Sequence, residues 1–168
     1  MQPHNESELK NRKVCLEQII RKYADMIFRI AYNNLGNIPD AEDILQEVSI
    51  ALVTSDAPNF DEEHLRFWLC RVTLNKCRNH RKSLLRHRTE PLTEDIPYVQ
   101  NKDKGIIEEL RKLPEKYRTV LFLYYYEEMT IEQIAKVLKK SPNTIGSQLR
   151  RGREALRKLL TDGGNNYV

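Results

Sequence analysis

The sequence predicts an all-α protein with two small helical domains joined by a flexible linker. Apolar residues recur at spacings of three and four along most of the 168 residues, which is the period of an amphipathic helix. Between residues 84 and 104 that period fails, and the segment carries two prolines and many polar residues, as is typical of a linker. The predicted domains are therefore residues 8–83 and 105–162.

The first domain is predicted to contain three helices. The first has one apolar stripe and ends at Gly36 and Asn37. Asp40, which follows Pro39, is the predicted N-cap of the second helix. The third begins near Asp61 and is apolar on two sides, so we expect it at the centre of its domain. The inner stripe of the second helix consists of Ala41, Ile44, Leu45, Val48 and Leu52.

The second domain is predicted to end in a helix-turn-helix. Pro114 suits the first position of a helix. Thr130 and Gln133 have capping-box spacing at the start of the next helix, TIEQIAKVL. After a short turn, Ser141 is a good N-cap for a longer helix that runs to about Leu160. Two helices joined by so short a turn are the arrangement of a helix-turn-helix.

A helical projection of the last helix separates an apolar arc from a polar one. Ile145, Leu149, Gly152 and Leu156 fall together and should face the core. The opposite side chains can form hydrogen bonds or carry positive charge, which suits base edges and phosphates. An ordinary amphipathic helix at the end of a bundle is the alternative. The polar arc comprises Asn143, Ser147, Arg150 and Glu154, with Gly146, Arg151 and Arg157 at its edges.

Charge is distributed in blocks along the chain, although the net charge is only +4. Residues 37–63 contain eight acidic side chains and no Lys or Arg. Residues 66–88 contain eight Lys or Arg and no acid, and residues 139–158 contain seven against one acid. Any one block could be a solvated helix face, but two basic helical blocks in separate halves favour a polyanion as partner.

The acidic second helix presents Asp43, Gln46, Glu47 and Ile50 opposite its apolar stripe. An isoleucine among carboxylates is typical of a protein-docking patch, in which the charges select a basic partner. A carboxylate metal site is an alternative interpretation. It lacks a histidine or a further carboxylate to complete the shell, so we expect no metal.

Other function classes find no support in the sequence. No apolar run approaches the roughly twenty residues that cross a bilayer, and the first thirteen residues have no signal-peptide character. Cys15, Cys70 and Cys77 form no close pair, which favours reduced thiols in a cytoplasm. There is no P-loop or nucleophile motif, so we expect neither enzyme activity nor a cofactor.

Four stretches resemble the bacterial sigma-70 family of RNA polymerase sigma factors, in particular its extracytoplasmic-function (ECF) group. They are DAEDILQEV from Asp40, FWLCRVTLNKCRN from Phe67, LPEKYRTVLFLYYYEEMTIEQIAKVL from Leu113 and SPNTIGSQLRRGREAL from Ser141. The resemblance covers about residues 14–160 in the family's order and spacing. It implies two helical domains, conventionally called domain two and domain four, and a linker that threads the RNA exit path of the polymerase.

The resemblance also implies roles for individual residues. The acidic helix, with Asp43, Gln46, Glu47 and Ile50, would dock on the clamp helices of the polymerase's largest subunit. The third helix would bind and open the promoter's minus-ten element through Arg71, Asn75, Lys76, Arg78, Asn79 and Arg81, with Asn75 near a flipped-out base. The last helix would read the minus-thirty-five element through Asn143, Thr144, Ser147, Gln148, Arg150 and Arg151.

The partners that the family implies are core RNA polymerase, promoter DNA and an anti-sigma factor, either free or membrane-bound. Gly146 departs from the pattern, because relatives often carry Arg or Lys there. Trp68 matches an aromatic residue common to the family, and we expect it in the core of domain two. Two other functions remain open: a helix-turn-helix regulator that acts without polymerase, and a metal-dependent nucleic-acid enzyme that uses the acidic cluster.

Overall fold

The computed structural model describes residues 6–87 and 108–162, and side chains over 13–85 and 108–161. Helices and short turns account for these residues, and no strand occurs among them. No helix in these ranges is long and apolar enough to span a membrane. The helices are α1 (Glu6–Leu35), α2 (Ile38–Thr54), α3 (Glu62–His87), α4 (described over 108–112), α5 (Glu115–Tyr125), α6 (Ile131–Leu138) and α7 (Pro142–Asp162), with a 3-10 turn at Ala57–Asn59.

The predicted linker falls largely outside the described residues. Of residues 84–104, only 84–87 are described, and they form the last turn of α3. The first residues of the second predicted domain, 105–107, also lie outside the described ranges. The proposed domain limits therefore stay predictions.

Domain two is formed by α1, α2 and α3, which share one apolar core. The inner stripe of α2 is buried at Ala41, Ile44 and Val48, each fully inaccessible to solvent. On α3 both predicted apolar sides contribute to the core, for example through Leu69 and Cys70, while Trp68 is half-buried against it. The projections of α2 and α3 are confirmed, and Trp68, which was expected in the core, packs against it without being fully buried.

The start of α2 differs from the sequence prediction. Asn37, not Asp40, is the N-cap: its backbone is extended, and its Oδ1 accepts a hydrogen bond from the Asp40 N–H at 2.8 Å. Pro39 lies inside the first turn, where its lack of an N–H costs nothing. The prediction of Asp40 as N-cap was wrong. Proline is common in the first turn of a helix, so Pro39 is as consistent with a cap before it, at Asn37, as with a cap after it, at Asp40.

Gly36 ends α1 in a left-handed conformation, with φ of +86°. Its N–H donates to the Tyr32 carbonyl at 2.8 Å and closes the last turn of the helix. Glycine adopts this backbone without the steric cost that a Cβ would add. The chain can therefore reverse sharply between α1 and α2.

Domain four is formed around α5, α6 and α7. The predicted capping box is confirmed: Thr130 Oγ1 accepts from the Gln133 N–H at 3.2 Å, and Gln133 Oε1 accepts from the Thr130 N–H at 2.9 Å. Ser141 caps α7 by accepting from the Thr144 N–H at 3.2 Å. Pro114 was predicted to be the first residue of α5, but it is the N-cap, and the helix begins at Glu115. The helix-turn-helix is therefore present as α6 and α7.

The apolar arc of α7 faces the domain core as predicted. Ile145 is fully buried and Leu149 is 2% exposed. Gly152 is also buried, and it lies so close to α5 that a Cβ at this position would be only 3.1 Å from Leu121 Cδ1. The glycine therefore allows α7 to approach α5 closely. The two domains also touch each other, with α6 against α3 and α5 against α1.

Candidate nucleic-acid and protein-docking surfaces

The docking face predicted on α2 points away from the core. Asp43, Gln46 and Glu47 are exposed, and Ile50 is 63% exposed. Val53, one turn further on, is 47% exposed and extends the apolar part of this face. The sequence analysis missed Val53, although its i+3 spacing from Ile50 is the signal that would have placed it there.

The basic face of α3 holds the six residues that the family resemblance marks for the minus-ten element. Three of these side chains are exposed and three are half-buried. Thr73 and Cys77, on the opposite side of the same helix, are buried. The exposed residues are Asn75, Arg78 and Asn79, and the half-buried ones are Arg71, Lys76 and Arg81.

The three half-buried cations of α3 each have a polar partner. Lys76 Nζ lies 3.0 Å from Glu47 Oε2 on α2, within the same domain. Arg71 donates to the backbone carbonyls of Lys136 at 2.7 Å and Val137 at 3.2 Å. Arg81 Nη2 lies 2.5 Å from Glu115 Oε2.

The predicted face of α7 forms the exposed side of the helix-turn-helix. Five of its six predicted residues are exposed, and Gln148 is half-buried. Gln148 Oε1 has no hydrogen-bond partner within the described part of the chain. A helix with these donors and acceptors along one side has the size and chemistry to enter a major groove. The exposed residues are Asn143, Thr144, Ser147, Arg150 and Arg151.

A cleft of about 310 Å³ lies along this face of α7. Lys116 and Tyr117, from the first turns of α5, form its far wall opposite Ser147 and Gln148. These two residues extend the candidate DNA surface beyond α7. The sequence analysis missed them, since a projection of one helix cannot indicate which neighbouring helix lies beside it.

Arg150 and Glu154 form an ion pair along α7, with Nη1 and Oε1 2.9 Å apart. Both side chains are more than half exposed, so the pair contributes little to stability. In this structure the pair directs the Arg150 guanidinium along α7 toward Glu154.

Glu127 is a buried carboxylate between the two domains, with a side chain only 4% exposed. Arg29 on α1 donates to its Oε1 at 3.2 Å, and Arg66 on α3 donates to its backbone carbonyl. Burial raises the pKa of Glu127, and the two guanidinium groups oppose that rise. Nothing in the sequence pattern indicated this cluster, whose members are far apart in the chain.

The cysteines have the properties of inert core thiols at two of three positions. Burial raises the pKa of Cys70 and of Cys77 to about 12. Cys15 is exposed on α1. Across residues 6–87 and 108–162, no three His, Cys, Asp or Glu side chains are grouped so that they could hold a metal ion.

Family models match most of the chain. The model of sigma-70 region 2 matches residues 19–87, which include all of α2 and α3. The model of sigma-70 region 4 matches residues 104–156, which include α5, α6 and most of α7. The matches therefore correspond to the two helical domains.

Relatives that align over most of the chain are also RNA polymerase sigma factors. The ECF RNA polymerase sigma factor SigW of Bacillus subtilis is 33% identical over 165 residues, which cover 86% of this chain and 88% of SigW. The RNA polymerase sigma factor SigV of Bacillus subtilis is 26% identical, over 89% of this chain and 93% of SigV.

Two solved structures share the fold. The sigma factor RpoE of Bartonella quintana, in complex with the anti-sigma factor NepR, has a TM-score of 0.73 at 18% identity and covers 86% of this chain and 96% of its own. CnrH, in complex with the cytosolic domain of CnrY, has a TM-score of 0.63 at 22% identity, with 88% of each chain covered. Together with the family models and SigW, these results confirm the predicted family and function: the chain belongs to the ECF group of the sigma-70 family of RNA polymerase sigma factors.

Proposed function

We propose that three helix faces divide the work of this sigma factor between them. The α2 face, with Asp43, Gln46, Glu47 and Ile50, docks on core polymerase. The α3 face binds and opens the minus-ten element, and the α7 face reads the minus-thirty-five element. The observation that carries the proposal is that one chain presents two exposed surfaces of different chemistry. The surface on α2 is acidic around an isoleucine, and the surface on α7 carries arginine, amide and hydroxyl groups.

The docking role rests on the composition of the α2 face. Its carboxylates surround Ile50, an apolar side chain whose exposure to water is unfavourable in free energy. A basic partner with an apolar centre would desolvate Ile50 and pair with Asp43 and Glu47, which gives affinity and selects the partner. A regulator that acted without polymerase would leave this face without a role.

The minus-ten role rests on α3. Asn75 is exposed between positively charged neighbours, and its amide can both donate to and accept from the edge of an extruded base. Extrusion of a base costs a few kcal/mol, which a pocket that recognises the base offsets. We propose that Asn75 recognises that base and that Arg71, Lys76, Arg78 and Arg81 hold phosphates.

The minus-thirty-five role rests on α7 and its cleft. Arg150 and Arg151 are suited to bidentate contact with guanine, and the amide and hydroxyl groups of Asn143, Ser147 and Gln148 suit other base edges or phosphates. Lys116 on α5 would add a phosphate contact beside α7.

Neither domain alone needs to bind DNA tightly. A few phosphate contacts give salt-sensitive and largely non-specific affinity. When polymerase holds both domains at one promoter, the second binding event becomes intramolecular and the two specificities combine. The chain supplies no catalytic group of its own in this scheme, so the chemistry of RNA synthesis stays with the polymerase, in the cytoplasm.

We further propose an anti-sigma factor as a third partner. Both structural neighbours are complexes: RpoE with the anti-sigma factor NepR, and CnrH with the cytosolic domain of CnrY. A partner of this kind would cover the docking face of α2 or the DNA faces of α3 and α7. Either contact would keep the chain from initiating transcription.

Transcription with purified core polymerase on a library of promoters tests the proposal. Addition of this chain should produce transcripts that begin downstream of a shared pair of elements, and core polymerase alone should not. A chain that binds operator DNA as a dimer and leaves the start-site pattern unchanged would instead be a regulator. Asp43→Lys should abolish the new transcripts, while Glu17→Lys on the exposed side of α1 serves as a control of equal charge change.

A further inference from the structure

The cleft between α5 and α7 is lined by groups that bind anions. Lys116 comes from α5 and Arg151 from α7, the rest of the α7 wall consists of amide and hydroxyl side chains, and none of the lining residues is acidic. The carboxylates that follow closest in sequence are engaged elsewhere: Glu115 with Arg81 on α3, and Glu154 with Arg150. The cleft therefore combines two positive charges with hydrogen-bond donors.

The two cations of the cleft differ from those of α3 because they have no anionic partner. In the part of the chain that the structure describes, neither Lys116 nor Arg151 forms an ion pair or a hydrogen bond through its side chain. Arg71, Lys76 and Arg81 on α3 each have such a partner. An anion that enters the cleft therefore replaces water and breaks no hydrogen bond within the chain.

Tyr117 holds Lys116 on the side of α5 that faces α7. The Lys116 ammonium lies 4.9 Å from the centre of the Tyr117 ring, within the range of a cation–π contact. Tyr117 is itself packed against α7, since a Cβ added at Gly152 would be only 3.3 Å from the Tyr117 Cβ. The glycine that brings the two helices together therefore also brings Lys116 beside the reading helix.

The two edges of the polar arc of α7 differ in what they offer to a DNA strand. In a helix that enters a major groove, the centre of the arc, here Arg150, faces base edges, and the arc's edges face the sugar–phosphate backbones. One edge carries Arg151 and adjoins the cleft. The other has Gly146, which has no side chain and open space beside it. The next cations on that edge, Arg153 and Arg157, lie about two and three turns further along.

We propose that one phosphodiester of the minus-thirty-five duplex lies in this cleft, held by Lys116 from α5 and Arg151 from α7, with Tyr117 as the residue that positions Lys116. Arg150 is then left to contact a base. The inference rests on the proposed role of α7 in reading the minus-thirty-five element. It makes α5 a second element in direct contact with DNA and places the stronger backbone contact on the strand beside α5.

Lys116→Gln tests the contact in the full chain assembled with core polymerase, on a promoter obtained from the transcription library. The variant should bind the promoter roughly fivefold more weakly and lower the slope of log affinity against log salt by about 0.9, because one phosphate contact is lost. Its base preferences should be unchanged, since a phosphate carries no sequence information. Lys13→Gln, at an exposed position on α1, is the control with the same loss of charge.

Methylphosphonate linkages, each of which removes the charge of one phosphate, locate the contact on the duplex. One linkage in the minus-thirty-five element should weaken binding of the unaltered protein and have no further effect on Lys116→Gln or on Arg151→Gln. Both variants should respond normally to the other linkages. If Lys116→Gln binds like Lys13→Gln, or responds to every linkage as the unaltered protein does, the proposal is wrong. Two different linkages for the two variants would exclude a shared phosphate.

The positioning role of Tyr117 has its own pair of variants. Tyr117→Phe keeps the ring and should bind like the unaltered protein, whereas Tyr117→Leu should weaken binding. Combined with Lys116→Gln, Tyr117→Leu should cause no further loss, because it acts only through the ammonium. A further loss in the combined variant, with the unfolding midpoint unchanged, would contradict this role.

Failure of the inference can be distinguished from failure of the proposed function. A library that yields no promoter would refute the role of the chain as a sigma factor, and the inference with it. A promoter whose binding responds to Arg150→Ala but not to Lys116→Gln would leave the proposed function standing and would overturn the inference alone.

Discussion

The ammonium of Lys76 lies 3.0 Å from a carboxylate oxygen of Glu47, so one ion pair joins the minus-ten face of α3 to the docking face of α2. The two side chains are 35% and 48% exposed, and such a pair is worth about 0–1 kcal/mol. A basic partner that binds Glu47 would compete with Lys76 for this carboxylate. Polymerase docking would then release Lys76 toward DNA.

Charge reversal on the docking face should weaken binding to core polymerase. Asp43→Lys is the cleaner variant, because Glu47→Lys would also disturb Lys76. We expect a reduction in affinity of at least tenfold, since a repelled charge replaces an attracted one at the interface. Titration of labelled chain with core polymerase measures it, and unaltered affinity would exclude α2 as the docking helix.

Removal of the Asn75 amide should change promoter preference rather than general affinity. Asn75→Ala should relax selection at one base of the minus-ten element, because a base-edge contact is worth about 1–3 kcal/mol. Asn59→Ala, an exposed position outside the three assigned faces, is a control with the same chemical change. Transcription from a randomised minus-ten library measures both. An unaltered base profile in Asn75→Ala would refute the assignment.

Arg150 and Arg151 should be separable into base and phosphate contacts. A residue that contacts guanine should cost about 1–3 kcal/mol when changed to Ala and relax one position of the minus-thirty-five element. A phosphate contact should instead weaken all sequences equally and reduce the salt dependence. Competition binding to duplex libraries at two salt concentrations distinguishes these results. If neither substitution alters binding, α7 does not read this element.

The two glycines of α7 should respond oppositely to alanine. A Cβ at Gly146 would meet no described atom within 4 Å, so Gly146→Ala should raise the free energy of unfolding by about 1 kcal/mol. A Cβ at Gly152 would lie 3.1–3.3 Å from Leu121 and Tyr117. Gly152→Ala should therefore lower stability by about 1 kcal/mol or more. Denaturant unfolding of both variants measures the difference, and equal shifts would contradict it.

Thiol reactivity should divide the three cysteines into one fast and two slow groups. With a pKa of about 12, Cys70 and Cys77 are almost entirely protonated at pH 8, and burial also blocks access. Iodoacetamide should therefore modify Cys15 first, and Cys15→Ser should remove the fast phase. Rapid modification of either buried thiol in the native chain would show that domain two opens readily.

Periodicity was sufficient to predict the helices because each buries a stripe whose spacing is local information. The capping box at Thr130 and the buried Ile145 and Leu149 of α7 are confirmed for this reason. Helix starts were less certain: Asn37 and Asp40 are both good cap residues, and only the backbone at Asn37 decides between them. Pro114 shows a similar uncertainty, because proline was expected at the first helical position and is instead the N-cap.

The relation between the domains could not be predicted from pattern. Arg29 and Glu127 are 98 residues apart, and neither lies in a motif. An arginine on an exposed helix side has the same local signature whether it contacts water, DNA or another domain. The charge blocks indicated correctly that α3 is basic, but they could not show that Arg71 would find carbonyl oxygens of α6 rather than solvent.

The C-terminal turn of α6 has a consequence for the search that precedes initiation. It offers Arg71 carbonyl acceptors before any nucleic acid is near, so this guanidinium would have to exchange two hydrogen bonds within the chain for contacts with a phosphate. That exchange would reduce what Arg71 contributes on every DNA sequence alike. Since bulk genomic sequence vastly outnumbers promoters, a smaller contribution of this kind leaves more of the choice of site to the side chains that contact bases.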